Sequence, residues 1–214
     1  MTAVLFDLDG TLLDTLQDLT DAVNYTLAQF GCPPRTDKEV RAFIGSGARQ
    51  LIALSLPGKA DDPDVDRVLE VYQAYYKAHC RIKTGPYPGI PEALEKIRQL
   101  CPVAIVSNKP DGAVKALCAA YFPGIYALGE TPDCPRKPAP DMVHRAMGAL
   151  GAERCIYVGD SDVDIVTAGN AGAACISVSW GFRDADVLEA AGATHLCRRT
   201  QDLPELVQRL LEQQ

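Results

Sequence analysis

A chain of 214 residues and 23.0 kDa is long enough to bury a full core, as one large domain or one domain carrying an insert. Its net charge of −7 and pI near 5.0 argue against nucleic acid or anionic membrane as a standing partner. No apolar segment approaches the roughly 20 residues that span a bilayer, and Asp7 and Asp9 stand where a secretory signal would carry a basic region. The eight cysteines are scattered, none in a C-x-x-C, and several adjoin strand-like runs. They read as small buried hydrophobes, not as a zinc site or disulfide framework, and the chain reads as cytoplasmic.

The first element is the run Ala3–Leu8, apolar except near its end, as in a strand buried on both faces of a parallel sheet. Asp7 closes the run and Gly10 lets the chain turn, so Asp7 and Asp9 leave the carboxyl end of a central strand together. Open α/β sheets place their ligands there. Two carboxylates this close repel unless a cation lies between them or one is protonated. Alone, the pair reads more simply as a polar turn after a strand, and it is the residues downstream that favour the other reading.

From Asp14 to about Lys83 the pattern is helical throughout. Leu16, Leu19, Val23, Leu27 and Phe30 share one helical face, with Gly31 as a stop. Thr36-Asp37-Lys38-Glu39 has the spacing of a capping box and opens a short helix to about Ile44. Gly45-Ser46-Gly47 breaks it, and Ala48–Leu56 resumes. Asp62-Pro63 suits the start of a long helix ending near His79-Cys80. Four helices without a strand between them predict a helical insert, residues 14–83. Pro86, Pro88, Gly89 and Pro91 mark a rigid return to the main domain, residues 1–13 and 84–214.

Strands and helices then alternate. Strands are expected at Val103–Ser107, Ile125–Leu128, Cys155–Gly159, Ala174–Val178 and Thr194–Cys197. Helices are expected at Pro91–Leu100, Asp111–Ala120, Pro140–Leu150, Asp162–Ala171, Asp184–Ala191 and Leu203–Leu211. This repetition predicts an α/β fold, a doubly wound parallel sheet with right-handed crossovers.

Three further polar groups sit at predicted strand ends. Ser107-Asn108-Lys109 offers a hydroxyl and backbone N–H groups entering a helix, a natural phosphate cradle, although taken alone it reads more simply as a polar helix N-cap. Arg136-Lys137-Pro138 holds a cation in a proline-stiffened loop, with Arg136 and Lys137 as rivals for the role. Gly159-Asp160-Ser161-Asp162-Val163-Asp164 places Asp160 and Asp164 four residues apart at a helix start, facing the same way. Carboxylates from two strand ends suit a hard divalent cation such as Mg²⁺, and the hydroxyl, N–H groups and lysine supply an anion-binding half. The combination points to phosphoryl transfer. No G-x-S-x-G elbow or G-x-x-x-x-G-K-[ST] loop offers an alternative, and His79, His144 and His195 lie away from the acidic loops.

Asp7–Thr11, Ser107-Asn108, Lys137 and Gly159–Asp164 together resemble the four motifs of the haloacid dehalogenase superfamily, phosphatase branch. The insert resembles that superfamily's α-helical cap. Phe43–Ala48, Tyr87-Pro88-Gly89, Ser107–Pro110 and Trp180-Gly181-Phe182 are most similar to the phosphoglycolate phosphatases within it. The chain departs from the pattern at Ser107, where threonine is common, at Asp162-Val163, and at Arg49.

The resemblance implies Asp7 as covalent nucleophile and Asp9 as acid and base, with Mg²⁺ held by Asp7, the backbone carbonyl of Asp9, and Asp160. It further implies Ser107, Asn108 and Lys137 as phosphate ligands and Asp164 as a supporting residue that orients Lys137 or metal-bound water. The implied substrate is a small phosphorylated metabolite, most simply 2-phosphoglycolate, and the loop Gly45, Ser46, Gly47 and Arg49 reads equally as the cap loop that meets its carboxylate or as an inter-helix turn with a solvated arginine. The implied assembly is a monomer or homodimer. Rival readings are another small-molecule or sugar phosphate phosphatase, a pyrophosphatase, a sugar phosphomutase, and a silent phosphate-binding protein.

Overall fold

Thr2–Phe6 forms strand β1, and its side chains alternate between two cores: Val4 and Phe6 pack on one face, Ala3 and Leu5 on the other. A strand walled in on both sides has no polar face, which is why its sequence reads as an unbroken apolar run. The structure, a computed structural model, describes residues 1–58 and 65–213. β1 lies inside a six-stranded sheet between β4 (Val103–Pro110) and β6 (Arg154–Gly159). Beyond β4 lies β5 (Tyr126–Glu130); beyond β6 lie β7 (Ala174–Val178) and β8 (His195–Cys197). Every pairing is parallel. The chain winds outward from β1 in one direction, then returns and winds outward in the other. The ends of β1, β4 and β6 therefore flank a topological switch point, where a crevice must open.

Helices cover both faces. α5 (Ile90–Leu100) and α10 (Leu203–Leu211) bring Ile90, Ile97, Leu203 and Val207 to the core that holds Val4 and Phe6. α7 (Asp141–Leu150) and α8 (Asp162–Asn170) bring Met142, Val143, Ala146 and Ala168 to the other. α6 (Asp111–Tyr121) follows β4, and α9 (Ala185–Ala190) follows β7. The expected doubly wound α/β sheet is the observed fold. All eight cysteines are free thiols. Burial pushes Cys101, Cys155 and Cys197 up to about 11 and Cys118 and Cys175 up to about 12, so these five stay protonated and inert.

The insert comprises α1 (Leu16–Gln29), α2 (Asp37–Phe43), α3 (Ala48–Ser55) and α4 (Val65–His79). The expected capping box at Thr36 is formed, with Thr36 Oγ1 accepting from Glu39 N and a Glu39 carboxylate oxygen accepting from Thr36 N. The expected helix start at Asp62-Pro63 lies outside the described residues. Two elements correct the sequence reading. The insert is not helical from its first residue: Leu13–Asp14 (β2) pairs antiparallel with Gly85–Pro86 (β3). Two-residue strands carry no periodicity, and the glycine and prolines masked this one as a hinge. β4 also runs on to Pro110, with its pairing register to β5 shifting between Val106 and Pro110, so Ser107, Asn108 and Lys109 leave the sheet extended instead of turning at once into a helix. Other ends agree within one or two residues. Among the described residues no helix is long and apolar enough to cross a membrane.

One buried carboxylate ties the two ends of the insert together. Asp18, in the first turn of α1, accepts from the backbone N–H groups of Ile82, Lys83 and Thr84 at 2.9–3.1 Å. Tyr121 on α6 donates to the Thr84 carbonyl at 2.7 Å, linking this corner to the main domain. Hydrogen bonds to an ionised acceptor are among the stronger ones in proteins. Asp18→Ala is expected to lower unfolding stability by about 1.5–3 kcal/mol, read as a shifted urea midpoint, with Asp18→Asn losing less. An unchanged midpoint for Asp18→Ala would show that the corner is held by other contacts.

Candidate active site

Asp7 extends the β1 ladder by one residue, its N–H donating to the Val158 carbonyl at 2.8 Å, so its side chain emerges beside β6. Its Oδ1 accepts from Leu8 N at 2.7 Å and lies 2.9 Å from Lys137 Nζ. Gly10 then turns with φ +81°, and a Cβ there would collide with the Asp160 carboxylate, so the turn can come this close only with glycine. Asp160, at the end of β6, accepts from Phe182 N at 2.6 Å and Thr11 Oγ1 at 3.2 Å. Asp164 is the third residue of α8. Its Oδ1 accepts from Lys137 Nζ at 2.8 Å and its Oδ2 from the Ser161 hydroxyl and N–H, closing a capping box. Oxygens of Asp7, Asp160 and Asp164 lie within 4.8 Å of one another, and all three residues are buried.

Three buried carboxylates thus face one buried ammonium. Burial raises Asp7 to about 7, with Lys137 pulling the other way and Asp164 and Asp9 adding to the rise. Asp160 is raised well above the carboxylate range by burial, then by Asp164 and Asp7. Burial also works against the Lys137 charge, but Asp164 and Asp7 outweigh it and hold its pKa well above the lysine range. The cluster is short of positive charge and offers oxygen donors only. Those are the conditions a hard divalent cation fits.

The Asp9 side chain points elsewhere. Its Oδ2 lies 3.0 Å from Lys109 Nζ, while its Oδ1 is buried with no hydrogen-bond partner. Any metal role for Asp9 therefore rests on its backbone carbonyl, since its carboxylate is not among the clustered ones.

Lys137, not Arg136, enters the site. Arg136 is partly exposed and pairs with Glu130 at 3.6 Å. Lys137 is fixed along its whole length, its backbone by Asn108 and its ammonium by Asp7, Asp164 and the Tyr157 hydroxyl at 3.0 Å. The Asn108 amide is fully spent: its nitrogen donates to the carbonyls of Gly45 and Lys137, and its oxygen accepts from Lys137 N. A side chain with both donors engaged is a clamp, so any phosphate contact of Asn108 rests on its backbone N–H. Ser107 is buried, its Oγ accepting from Lys109 N at 3.3 Å, and it lines the same cavity.

The cap loop divides. Gly45, Gly47 and Ala48 line the cavity over the strand ends, but Ser46 and Arg49 do not. Arg49 turns outward and pairs with Asp66 on α4 at 2.9 Å. This corrects its expected role as reader of the substrate: an (i, i+1) neighbour of a cavity residue on a helix faces about 100° away, and an acid waits on that side.

Sequence reasoning missed three basic groups and a tyrosine. Lys109 is buried between Asp9 and the Tyr76 hydroxyl of α4. Arg183, after β7, donates to the carbonyls of Arg41, Ala42 and Ile44 at the end of α2 and pairs with Asp162 at 3.4 Å. Arg41 reaches back to the Gly181 carbonyl and Asp184, both at 2.9 Å. These contacts latch the insert over the main domain, and Asp162, the unusual acid of the fourth motif, anchors one of them. Only Lys109 had a local signal, as the neighbour of Asn108. The other contacts join residues far apart in sequence.

Comparison with known proteins agrees with this geometry. The pattern of the haloacid dehalogenase-like hydrolases matches residues 4–178. A phosphoglycolate phosphatase of Cereibacter sphaeroides is 35% identical over 99% of this chain and 100% of its own length. Phosphoglycolate phosphatase 1 of Pseudomonas aeruginosa is 32% identical over 94% of this chain and 77% of its own. A crystal structure from Lactobacillus delbrueckii subsp. bulgaricus, proposed to be a phosphoglycolate phosphatase, superposes with a TM-score of 0.90 at 39% identity, covering 96% of this chain and 97% of the other. The chain belongs to the haloacid dehalogenase-like hydrolases, and within them it is a phosphatase.

Proposed function

We propose that this phosphatase hydrolyses 2-phosphoglycolate through a covalent aspartyl-phosphate on Asp7, with residues 14–83 acting as its cap domain. The observation that carries the mechanism is the separation of two aspartates only two residues apart. Asp7 sits in the carboxylate cluster against Lys137, whereas Asp9 keeps a buried oxygen free of any partner. One is placed to attack phosphorus, the other to handle a proton.

In this reading the Asp7 carboxylate forms a bond to phosphorus as the bond to the bridging oxygen breaks, and Asp9 gives that oxygen its proton. Asp9 then takes a proton from the water that attacks the aspartyl-phosphate, releasing inorganic phosphate and restoring Asp7. Lys137 and the Ser107 hydroxyl neutralise and position the phosphoryl oxygens. Asp7, the Asp9 carbonyl and Asp160 would hold Mg²⁺, which supplies charge neutralisation at the phosphoryl group. The latched insert excludes bulk water. The substrate reading rests on the full-length relatives named phosphoglycolate phosphatase.

Three outcomes test this reading. Asp7→Asn is expected to cut Mg²⁺-dependent phosphate release from 2-phosphoglycolate by at least about 10³-fold while keeping or raising the melting temperature, because it removes one charge from a crowded cluster. Substantial residual turnover in the folded variant would sink the covalent step.

Asp9→Asn is expected to lose about 10²–10⁴-fold on an alkyl phosphate. The loss should shrink on an activated aryl phosphate, whose leaving oxygen needs little protonation. Equal losses on both would show that Asp9 is not the acid.

A third outcome follows from the raised carboxylates. In the metal-free protein burial raises Asp7 to about 7, against 3.8 for an ordinary aspartate, and raises Asp160 in the same sense. Between those pH values the native state binds more protons than the unfolded one, so metal-free stability falls as pH rises through that window. A cation must displace those protons. The melting-temperature gain at one fixed, subsaturating Mg²⁺ concentration is therefore expected to be larger at pH 8 than at pH 6. A gain independent of pH would place the ion elsewhere.

A further inference from the structure

We infer that Lys109 and Tyr76 together read the carboxylate of the leaving group, an assignment that rests on the phosphoglycolate reading above and gives it residues. The bridging oxygen of a phosphomonoester must come within hydrogen-bonding reach of Asp9 to receive its proton, about 2.6–3.2 Å. Asp9 Oδ1 is buried and unpartnered, and Oδ2 of the same carboxylate lies 3.0 Å from Lys109 Nζ. The ammonium therefore stands beside the position of the bridging oxygen, at the distance of a charged group carried on the first carbon beyond it. In phosphoglycolate that group is the carboxylate.

The donors suit two carboxylate oxygens. An ammonium has three N–H groups. One goes to the Tyr76 hydroxyl at 2.7 Å and one to Asp9, leaving a third. The Tyr76 hydroxyl accepts from Lys109 and donates to no acceptor among the described residues, so its own proton is free as well. The other cavity cations are poorer candidates. Lys137 is committed to Asp7, Asp164 and Tyr157 at the phosphate end. Arg183 spends its nitrogens on α2 carbonyls and Asp162, and Lys77 is exposed. Leu19, Leu51 and Tyr72 add an uncharged stretch to the cavity wall. The Lys109–Tyr76 pair thus suits an anion one carbon from the ester oxygen.

The test compares 2-phosphoglycolate with 2-hydroxyethyl phosphate, which is nearly the same size and carries a neutral hydroxymethyl group in place of the carboxylate. The readout is the ratio of their kcat/KM values, which cancels whatever Lys109 contributes to Asp9 for both substrates. Wild type is expected to favour phosphoglycolate. Lys109→Met should reduce the ratio by about 10- to 150-fold, Tyr76→Phe should reduce it by less, and Lys109→Arg should restore most of it. Tyr76→Phe keeps the ring and removes one oxygen, so it serves if Lys109→Met does not fold. A wild type with no preference would overturn both the phosphoglycolate reading and this assignment. A preference that survives Lys109→Met or, where that variant is unfolded, survives Tyr76→Phe intact would overturn the assignment alone.

Discussion

Everything at the strand ends is arranged around the charge of Lys137. Three carboxylates cannot be buried within a few ångströms of one another without compensation, and the protein supplies one fixed ammonium among them. A lysine free to wander would lose much of that benefit to side-chain entropy. Its backbone is accordingly clamped by Asn108 and its tip by Asp164 and Tyr157. Asp164 is in turn held by Ser161 through a helix cap, so the rigidity of α8 passes to the lysine and on to Asp7. One ammonium does not balance three ionised carboxylates, so without a further cation the cluster holds protons, as the raised Asp7 and Asp160 indicate. A ligand with positive charge would take the place of those protons.

The same strand end separates two chemically identical side chains. Residues i and i+2 of a strand ordinarily share a face and an environment. Here the chain leaves the sheet between them, and the Gly10 turn presses the backbone against Asp160. Asp7 stays with β6 and its acids, while Asp9 swings toward β4 and meets Lys109. Opposite surroundings on two aspartates let one loop carry two different roles, those of nucleophile and proton carrier in the proposed mechanism.

The fold was legible because its signals are periodic. Apolar runs of strand length alternating with amphipathic segments admit few topologies, and parallel strands buried on both faces, such as β1, announce themselves in composition. Three of the four motifs were legible because Asp7, Ser107 and Asp160 follow apolar runs directly. What stayed hidden was long-range or very short. The β2–β3 pair is two residues on each side. The Asp18 corner joins positions more than sixty residues apart, and the Arg183 latch joins positions about 140 apart. Tyr76 carried no signal, since nothing local tells a buried tyrosine that packs from one whose hydroxyl meets a lysine. Arg49 failed in the opposite way: its neighbour Ala48 does line the cavity, and sequence alone does not fix which way a helix surface turns.

The division of labour between the two parts of the molecule follows from which one carries each group. Ser107 and Lys109 are two residues apart on the extended end of β4, so the spacing between the proposed phosphate contact and the proposed carboxylate contact is set by backbone geometry in the sheet. The insert adds Tyr76 and the apolar wall of Leu19 and Leu51. Lys109 without Tyr76 would face Asp9 alone, and an ammonium paired only with the acid would hold that carboxylate instead of a substrate. Tyr76 gives the ammonium a second, neutral partner and brings a donor of its own. Because Tyr76 arrives on α4, the pair is complete only when the insert is latched through Arg41 and Arg183. On the proposed reading, recognition of the leaving group and closure of the insert over the site then become one event.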